Sequence, residues 1–249
     1  MNTLLLFTRN QLALSFRHKL SWVLHFLVPL AGFMLMYTLL TLNEGAALSG
    51  LQSIGMVTYF TMIQAVLLTS LLLKDREQGI DRRIRVSPVR RMSYLAGNGL
   101  ATLIILGAQV IIFSLFIFLL FGDDIGMPFP GMLAILFGFN ITCTGFAFLV
   151  CAISDNASNA LMKANTLVII MSLTGGSFLP IQYMDPVLQR IALLMPQYWV
   201  MKALRLLQEG SSMVQWGIPI AILLLYACFF MALHGAITHR KSAAPGTLL

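Results

Sequence analysis

Positive charge is concentrated in one short stretch of the sequence, residues 74–91, which reads KDREQGIDRRIRVSPVRR. Seven of the sixteen Lys and Arg residues lie there, between two long apolar runs. Guanidinium and ammonium groups bind phosphate, so the stretch could be a solvated anchor on anionic lipid headgroups. Its internal spacing also predicts a local structure of its own.

The spacing within this stretch predicts a short helix that presents two isoleucines. Gly79 should end a helix that continues from the preceding run, and Pro88 should end the next one. Between them, Ile80 and Ile84 are four residues apart and therefore share one helical face. The same spacing pairs an acidic with a basic residue, Asp81 with Arg85. The composition alone favours the lipid anchor over a helix with a more specific role.

Motifs for chemistry on the chain itself are absent from the sequence. It has no G-x-x-x-x-G-K-[ST] phosphate loop and no H-E-x-x-H zinc motif, so no catalytic residue, metal ligand or cofactor site is predicted. All nine acidic residues fall in loops or at the ends of apolar runs, whereas ion-coupled transporters usually need an embedded carboxylate. If the protein transports a solute, the energy must come from a partner.

Polar residues inside the apolar runs are the candidates for a translocation pathway. They are Gln64, Gln109, Asn140 and Asn165. Side chains of this type line a polar route or form hydrogen bonds between helices, and the sequence favours neither. His25 and His234 are expected to bond neighbouring helices, and Lys163 to reach the membrane surface as an anchor.

The elements that hold these residues are predicted to be membrane-spanning helices. The 249 residues are 58% hydrophobic and 10% charged, with a mean hydropathy of +0.85. A span needs about 20 apolar residues, and six runs qualify. They are Leu20–Leu42, Leu51–Leu73, Tyr94–Phe121, Pro130–Ile153, Ala160–Ile181 and Met213–Ala236. The predicted fold is an all-α integral membrane protein, a six-helix bundle in one permease domain over residues 1–249, with an interfacial helix at 2–19.

The distribution of Lys and Arg predicts the orientation of this bundle. With both termini in the cytoplasm, thirteen of the sixteen lie inside and only Arg190, Lys202 and Arg205 lie outside. Cytoplasmic loops carry the excess of positive charge, so residues 74–92 form a cytoplasmic loop. The net charge of +7 then reflects topology and calls for no nucleic-acid partner.

Residues 179–210 are too polar to span and too apolar for a free loop, and three prolines divide them. Irregular backbone at membrane depth is tolerated only where protein or a water-filled cavity shields it. We therefore expect short re-entrant helices in the outer leaflet. The aromatic residues Phe178, Tyr183, Tyr198 and Trp199 suit that interface, or simply anchor the fold there.

Two series of residues in order resemble the type-2 class of ATP-binding-cassette (ABC) exporter permeases. The first runs from Glu77 through Gly79 to Pro88, directly after the second span, and is similar to a family pattern E-x-G-T-L-E-x-L-x-x-[ST]-P. The second lies between the fifth and sixth spans, as Gly-Gly-Ser-Phe-Leu-Pro, Met-Asp-Pro and Pro-Gln-Tyr-Trp. At Ile80, Asp81 and Arg82 the family has Thr, Leu and Glu, which leaves the choice of ATPase open.

The resemblance implies a half-transporter whose energy comes from other subunits. Two permease chains would form a homodimer or heterodimer, and two copies of an ABC ATPase, which bind ATP and magnesium, would dock on the cytoplasmic side. The implied ATPase-coupling residues are Glu77, Gly79, Ile80, Asp81, Ile84, Arg85 and Pro88. The implied outer re-entrant and exit residues are Gly175, Gly176, Phe178, Pro180, Pro186, Pro196, Tyr198 and Trp199.

The predicted function is therefore that of the permease subunit of an ATP-driven exporter in a bacterial plasma membrane. A hydrophobic or amphipathic substrate, such as a drug, antibiotic, lipid or lipopeptide, fits the weakly charged spans and short outer loops. A polysaccharide or glycolipid exporter of the same class is an alternative. A non-transporting scaffold that binds membrane lipids, or a channel, is the alternative from another class.

Overall fold

The structure is a computed structural model that describes residues 3–16, 23–44, 46–80 and 91–243. These residues form helices and short turns, with no strand among them. The helices are α1 (Thr3–Phe16), α2 (Val28–Glu44), α3 (Ala46–Thr69), α4 (Leu71–Glu77), α5 (Arg91–Ile125), α6 (Phe129–Ala152), α7 (Ala157–Thr174), α8 (Pro186–Ala192), α9 (Pro196–Gln208) and α10 (Met213–Ala243). A π-helical turn (Val23–Leu27) precedes α2, and a 3-10 turn (Ile181–Tyr183) precedes α8.

Five helical stretches in the described residues are long and apolar enough to cross a membrane. They are His25–Leu42, Ser49–Glu77, Met92–Gly122, Phe129–Ala152 and Met213–Arg240. Each overlaps one of the predicted spans. The fifth predicted span coincides with α7, which is helical over 18 residues but is not among the five. Asn159, Lys163 and Asn165 lower its hydropathy.

At two places a helix ends inside a predicted apolar run, because a glycine or a turn interrupts the helical backbone. The run to Ile181 was predicted as one span, but α7 ends at Thr174 because a glycine pair follows. Gly176 has φ +84°, a left-handed conformation that ends a helix and favours glycine. At the second span, a turn at Ser70 separates α3 from α4, and Gly79 after α4 has φ +72°.

The helix α6 is the centre of the bundle. Of its apolar stretch, 72% is buried, against 28% for α2 and 17% for α10, so those two helices form the outside. It packs on α3, α5, α7, α9 and α10. Small residues permit the closest approach, as at Gly145, where an added Cβ would lie 3.0 Å from the carbonyl oxygen of Ala227 on α10. Such contacts hold helices together where lipid removes the hydrophobic driving force.

The first helix is fastened to the start of α5 by a close backbone contact. The hydroxyl of Thr8 donates to the carbonyl oxygen of Gly97 at 3.2 Å. A Cβ at Gly97 would lie 2.8 Å from the Cβ of Phe7, so only glycine allows this approach. Phe7 also packs edge-on against Tyr94, with ring centroids 5.4 Å apart. The helix α1 is therefore held at the end of the bundle that carries residues 74–80.

Candidate functional site

Three of the seven implied coupling residues, Glu77, Gly79 and Ile80, lie within the described residues. The other four, Asp81, Ile84, Arg85 and Pro88, lie outside them. Glu77 is the last residue of α4, Gly79 makes the left-handed turn after it, and Ile80 is partly exposed. The described part of the loop is therefore a helix end followed by a sharp change of direction.

The carboxylate of Glu77 contacts the first residue of α7. Its Oε1 accepts a hydrogen bond from the backbone N–H of Ala157 at 3.3 Å. The same helix start is capped by Asn156, whose Oδ1 accepts from Asn159 N at 2.8 Å. A negative group at a helix N-terminus is stabilised by unpaired N–H groups and by the helix dipole. Glu77 thus joins the end of α4 to the start of α7.

Lys163 contacts the end of the neighbouring helix α6. Its Nζ donates to the carbonyl oxygen of Ile153, at the end of α6, at 2.6 Å. Positive groups at a helix C-terminus satisfy carbonyls that have no intrahelical partner. Lys163 therefore joins α7 to α6, in addition to any contact with the membrane surface.

Asp75 connects α4 with α5 through Tyr94, whose hydroxyl donates to the carboxylate. Because Tyr94 also packs on Phe7, three elements meet at this tyrosine: the end of the second span, the start of the third and the first helix. The contacts of Tyr94 were not predicted from the sequence, which placed this residue only at the start of the third span. A tyrosine that follows a basic cluster and begins an apolar run is the signal that could have indicated an interfacial contact.

The four polar candidates for the pathway are placed differently. Gln64 Nε2 donates to the carbonyl oxygen of His25 at 3.2 Å, and Asn140 Nδ2 donates to that of Leu103 at 3.5 Å. Gln109 is 1% exposed, and its amide atoms have no hydrogen-bond partner in the described part of the chain. Asn165 alone of the four is exposed, and its Oδ1 accepts from the hydroxyl of Tyr59 at 3.3 Å.

The two histidines inside predicted spans both sit at helix contacts. His25 is 6% exposed, and its backbone carbonyl receives the Gln64 bond. His234 Nδ1 lies 2.9 Å from the carbonyl oxygen of Phe148, joining α10 to α6. The His234 contact agrees with the prediction that this histidine bonds a neighbouring helix, whereas the bond at His25 is made by its backbone carbonyl and does not test the prediction for its side chain.

A tight turn after α7, residues 175–177, packs against the first half of α3. A Cβ on Gly55 would overlap the carbonyl oxygen of Ser177, so the two backbones touch. Gln52 Nε2 donates to the carbonyl oxygen of Gly176 at 3.4 Å, and the hydroxyls of Thr58 and Ser177 lie 3.4 Å apart. This buried polar contact closes the space between α3 and the outer segment. Gly55 was not predicted from the sequence.

The outer segment itself consists of short helices whose starts are fixed by proline. Asp185 caps α8 by accepting from Val187 N at 2.9 Å, and Pro186 and Pro196 occupy the first positions of α8 and α9. Proline suits that position because it has no N–H to leave unpaired. Pro180 precedes the 3-10 turn and is buried.

Aromatic residues on the outer segment lie at contacts between its parts. Trp199 Nε1 donates to the carbonyl oxygen of Leu193 at 3.0 Å, and the ammonium of Lys202 lies 5.2 Å from its ring centroid. Tyr198 packs edge-on against Trp199. Phe178 packs on Tyr59 of α3 with ring centroids 5.3 Å apart. Phe178 therefore lies beside the exposed pair of Tyr59 and Asn165.

Apolar helices of spanning length, joined at one end by a charged loop and at the other by short helices, define a multi-pass membrane protein. The family model of the ABC-2 type transporter matches residues 2–208, and the chain belongs to this family of transport permeases. The resemblance drawn from the two motif series is thereby confirmed. The match takes in α1 to α9 and ends before α10.

A similar protein is the linearmycin resistance permease protein LnrN of Bacillus subtilis (strain 168). The two are 27% identical over 198 residues, which cover 78% of this chain and 51% of the relative. The chain thus spans about half the length of this relative.

Proposed function

We propose that this chain is the membrane subunit of an ATP-driven exporter that moves hydrophobic or amphipathic compounds out of the cytoplasm or the inner leaflet. In the proposed arrangement the chain crosses the membrane six times, with α7 as the fifth span. Both termini lie in the cytoplasm. ATP and magnesium bind the partner ATPase, which docks at the loop that follows α4. Membership of the ABC-2 family and the resistance named for the Bacillus relative support this assignment.

The contact of Glu77 with Ala157 is the observation that carries the proposal. It joins the start of the proposed docking loop to the first residue of α7. The opposite end of α7 is followed by the turn that packs on Gly55 of α3. A push on the loop would therefore move one helix whose two ends touch the cytoplasmic and outer sides of the bundle.

The exposed polar pair on α7 and α3 is the proposed wall of the pathway. Asn165 and the hydroxyl of Tyr59 are exposed in mid-helix, on surfaces that would face hydrocarbon in an isolated chain. Polar groups at membrane depth are costly unless they face a water-filled cavity or another chain. We place the substrate route along this surface, between this chain and a second permease chain. Gln64, Gln109 and Asn140 are buried within the bundle instead.

The docking loop provides the direct test. The variant Ile80→Asp, Ile84→Asp introduces two charges on the proposed docking face and should remove the ATPase from the complex purified through a tag on the permease. It should also abolish the stimulation of ATP hydrolysis by an amphipathic antibiotic in proteoliposomes. Met213→Asp is the matched control, since Met213 is 74% exposed at the opposite end of the bundle.

Two results would count against the proposal. If the double variant keeps its ATPase and its stimulated turnover, the loop does not dock a motor. If turnover is lost equally in Met213→Asp, the effect is a general disturbance of the membrane domain. Stimulation by a polysaccharide or glycolipid precursor in place of the antibiotic would keep the exporter assignment and change the substrate class.

A further inference from the structure

The first helix presents leucines to its surroundings and buries polar residues. Thr8, Gln11 and Ser15 are at most 9% exposed, whereas Leu5 is 59% and Leu6 47% exposed. Phe7 and Leu12 pack inward, but two neighbouring exposed leucines are unusual on a helix of a soluble protein, whose apolar residues face the core. A helix with leucines outward is stable where those leucines contact lipid, so α1 lies at the membrane surface with its leucines in the bilayer.

A small pocket lies between α1, the end of α4 and the start of α5. Its volume is about 120 Å³, and residues of all three helices line it: Phe7, Gln11, Leu14, Asp75, Tyr94 and Asn98. Gln11 and Asn98 are more than nine-tenths buried. Gln11 Nε2 and Asn98 Oδ1 have no hydrogen-bond partner anywhere in the described part of the chain. Buried polar atoms are rarely left unpaired, because each one costs free energy.

The polar atoms of the pocket match a ligand that is mainly a hydrogen-bond donor. Asn98 Oδ1 is an acceptor, and the Asp75 carboxylate adds negative charge and lone pairs beyond those used by Tyr94. A primary ammonium group satisfies both. Gln11 Nε2 supplies one hydrogen-bond donor for an oxygen atom of the same ligand. With about 30 Å³ for each water-sized group, the volume suits an aminoethyl chain.

A second hollow adjoins the pocket on the outer side of α1. It is lined by Leu5, Leu6, Arg9 and Ala13, and it shares Asn10 with the first pocket. Arg9 is exposed there, and a guanidinium group binds phosphate through paired N–H donors. The two leucines provide apolar contact for an acyl chain. The two hollows therefore lie on neighbouring faces of α1, with the ammonium site on one and the phosphate site and apolar wall on the other.

We propose that the two hollows together bind one aminophospholipid, of the phosphatidylethanolamine type. The ammonium group lies in the pocket between Asp75 and Asn98, the phosphate contacts Arg9, and an acyl chain follows Leu5 and Leu6. The lipid joins α1 to the base of the proposed docking loop. This inference does not depend on the transport proposal, because it concerns lipid binding by the permease chain alone.

Lipid retention by the purified full chain tests the site. Native mass spectrometry after exchange into mixed micelles would measure retained phosphatidylethanolamine against phosphatidylcholine of equal chain length. Both carry phosphate and a positive charge, but only the first has N–H donors. We expect a preference of about tenfold, the effect of one hydrogen bond to a charged group.

Three variants separate the parts of the site. Asp75→Asn and Asn98→Leu should each remove the preference for phosphatidylethanolamine. Arg9→Gln should lower retention of both lipids without changing their ratio. The control Thr102→Val, one turn further along α5, removes another buried unpaired hydroxyl and should leave ratio and retention unchanged.

Each remaining outcome would overturn the proposal. Equal retention of the two lipids by the unaltered protein would mean that the pocket holds only water. A preference that survives both Asp75→Asn and Asn98→Leu would place the lipid elsewhere. If Asp75→Asn releases the ATPase subunit while the lipid ratio stays constant, the pocket receives a basic side chain of that protein instead. Because the lipid comparison is made on the unaltered protein, its result does not depend on whether any variant folds.

Discussion

Glu77 occupies the position at which the cytoplasmic loop and the fifth predicted span meet. Its carboxylate accepts from Ala157 N, and the cap residue Asn156 precedes that helix. One side chain therefore links two parts of the sequence that are eighty residues apart. The family pattern implies a glutamate at this point, and the structure gives this residue a contact with α7.

Removal of this carboxylate should uncouple the loop from α7. In Glu77→Ala the hydrogen bond to Ala157 is lost, and such a cap contributes about 1 kcal/mol. We expect stimulated ATP turnover of the reconstituted complex to fall roughly five- to tenfold. Glu77→Gln keeps an oxygen acceptor and should retain most of the stimulated ATP turnover. Glu209→Ala, at the exposed end of α9, serves as the control. Equal turnover in Glu77→Ala and the control would contradict the link.

In the proposed transporter, the helices α3 and α7 connect the docking loop with the opposite end of the bundle. The first half of α7 is held by Glu77 and Lys163, and the turn beyond its last residue packs against α3. The contact at Gly55 has no flexible side chain that could yield, because the neighbouring atom is a backbone oxygen. The packing of the turn 175–177 on α3 therefore requires that residue 55 has no Cβ.

A methyl group at Gly55 should push the turn 175–177 away from α3. Overpacking of this kind costs about 1–3 kcal/mol, so the thermal unfolding midpoint of Gly55→Ala in detergent should fall. Gly235→Ala is the matched control, since nothing lies within 4 Å of its added Cβ. It should be neutral or stabilised by up to about 1 kcal/mol, the helix preference for alanine. Identical midpoints for the two variants would show that the turn is not packed as described.

The molecule as a whole has two kinds of outer surface. Along the middle of α10 the exposed residues are apolar, including Leu225 at 67% and Phe229 at 59%, as expected for contact with lipid. On α7 and α3 the surface includes the exposed Asn165 and the partly exposed Tyr59. The second surface is the one that we expect to contact another permease chain.

Thiol cross-linking in membranes should distinguish these surfaces. Cys228→Ser removes the exposed native cysteine, and Cys143 and Cys151 are buried. In this background, Asn165→Cys should give a dimer-sized product with a bismaleimide, while Leu225→Cys on α10 should not. A partner of different mass would indicate a heterodimer. Cross-linking from Leu225→Cys alone would place the interface on α10.

Composition and short-range spacing determined the class of protein and most of its helices. Apolar runs of spanning length predict helices because the bilayer leaves backbone groups no other partner. Gly79 indicated a helix end for a local reason, the left-handed backbone that it adopts, whereas the equivalent break at Gly176 was missed because the apolar run continues through it. The family could be predicted from the order of two motif series along the chain.

Only the tertiary structure decided which polar residues are buried and which are exposed. Gln109 and Asn165 look alike in sequence, yet one lies inside the bundle and the other on its surface. The contacts of Glu77 with Ala157, of Gly55 with Ser177 and of Asp75 with Tyr94 also required it. Each joins residues from different elements, and the rotation of a helix about its axis is set by packing against its neighbours, which spacing within one run does not encode.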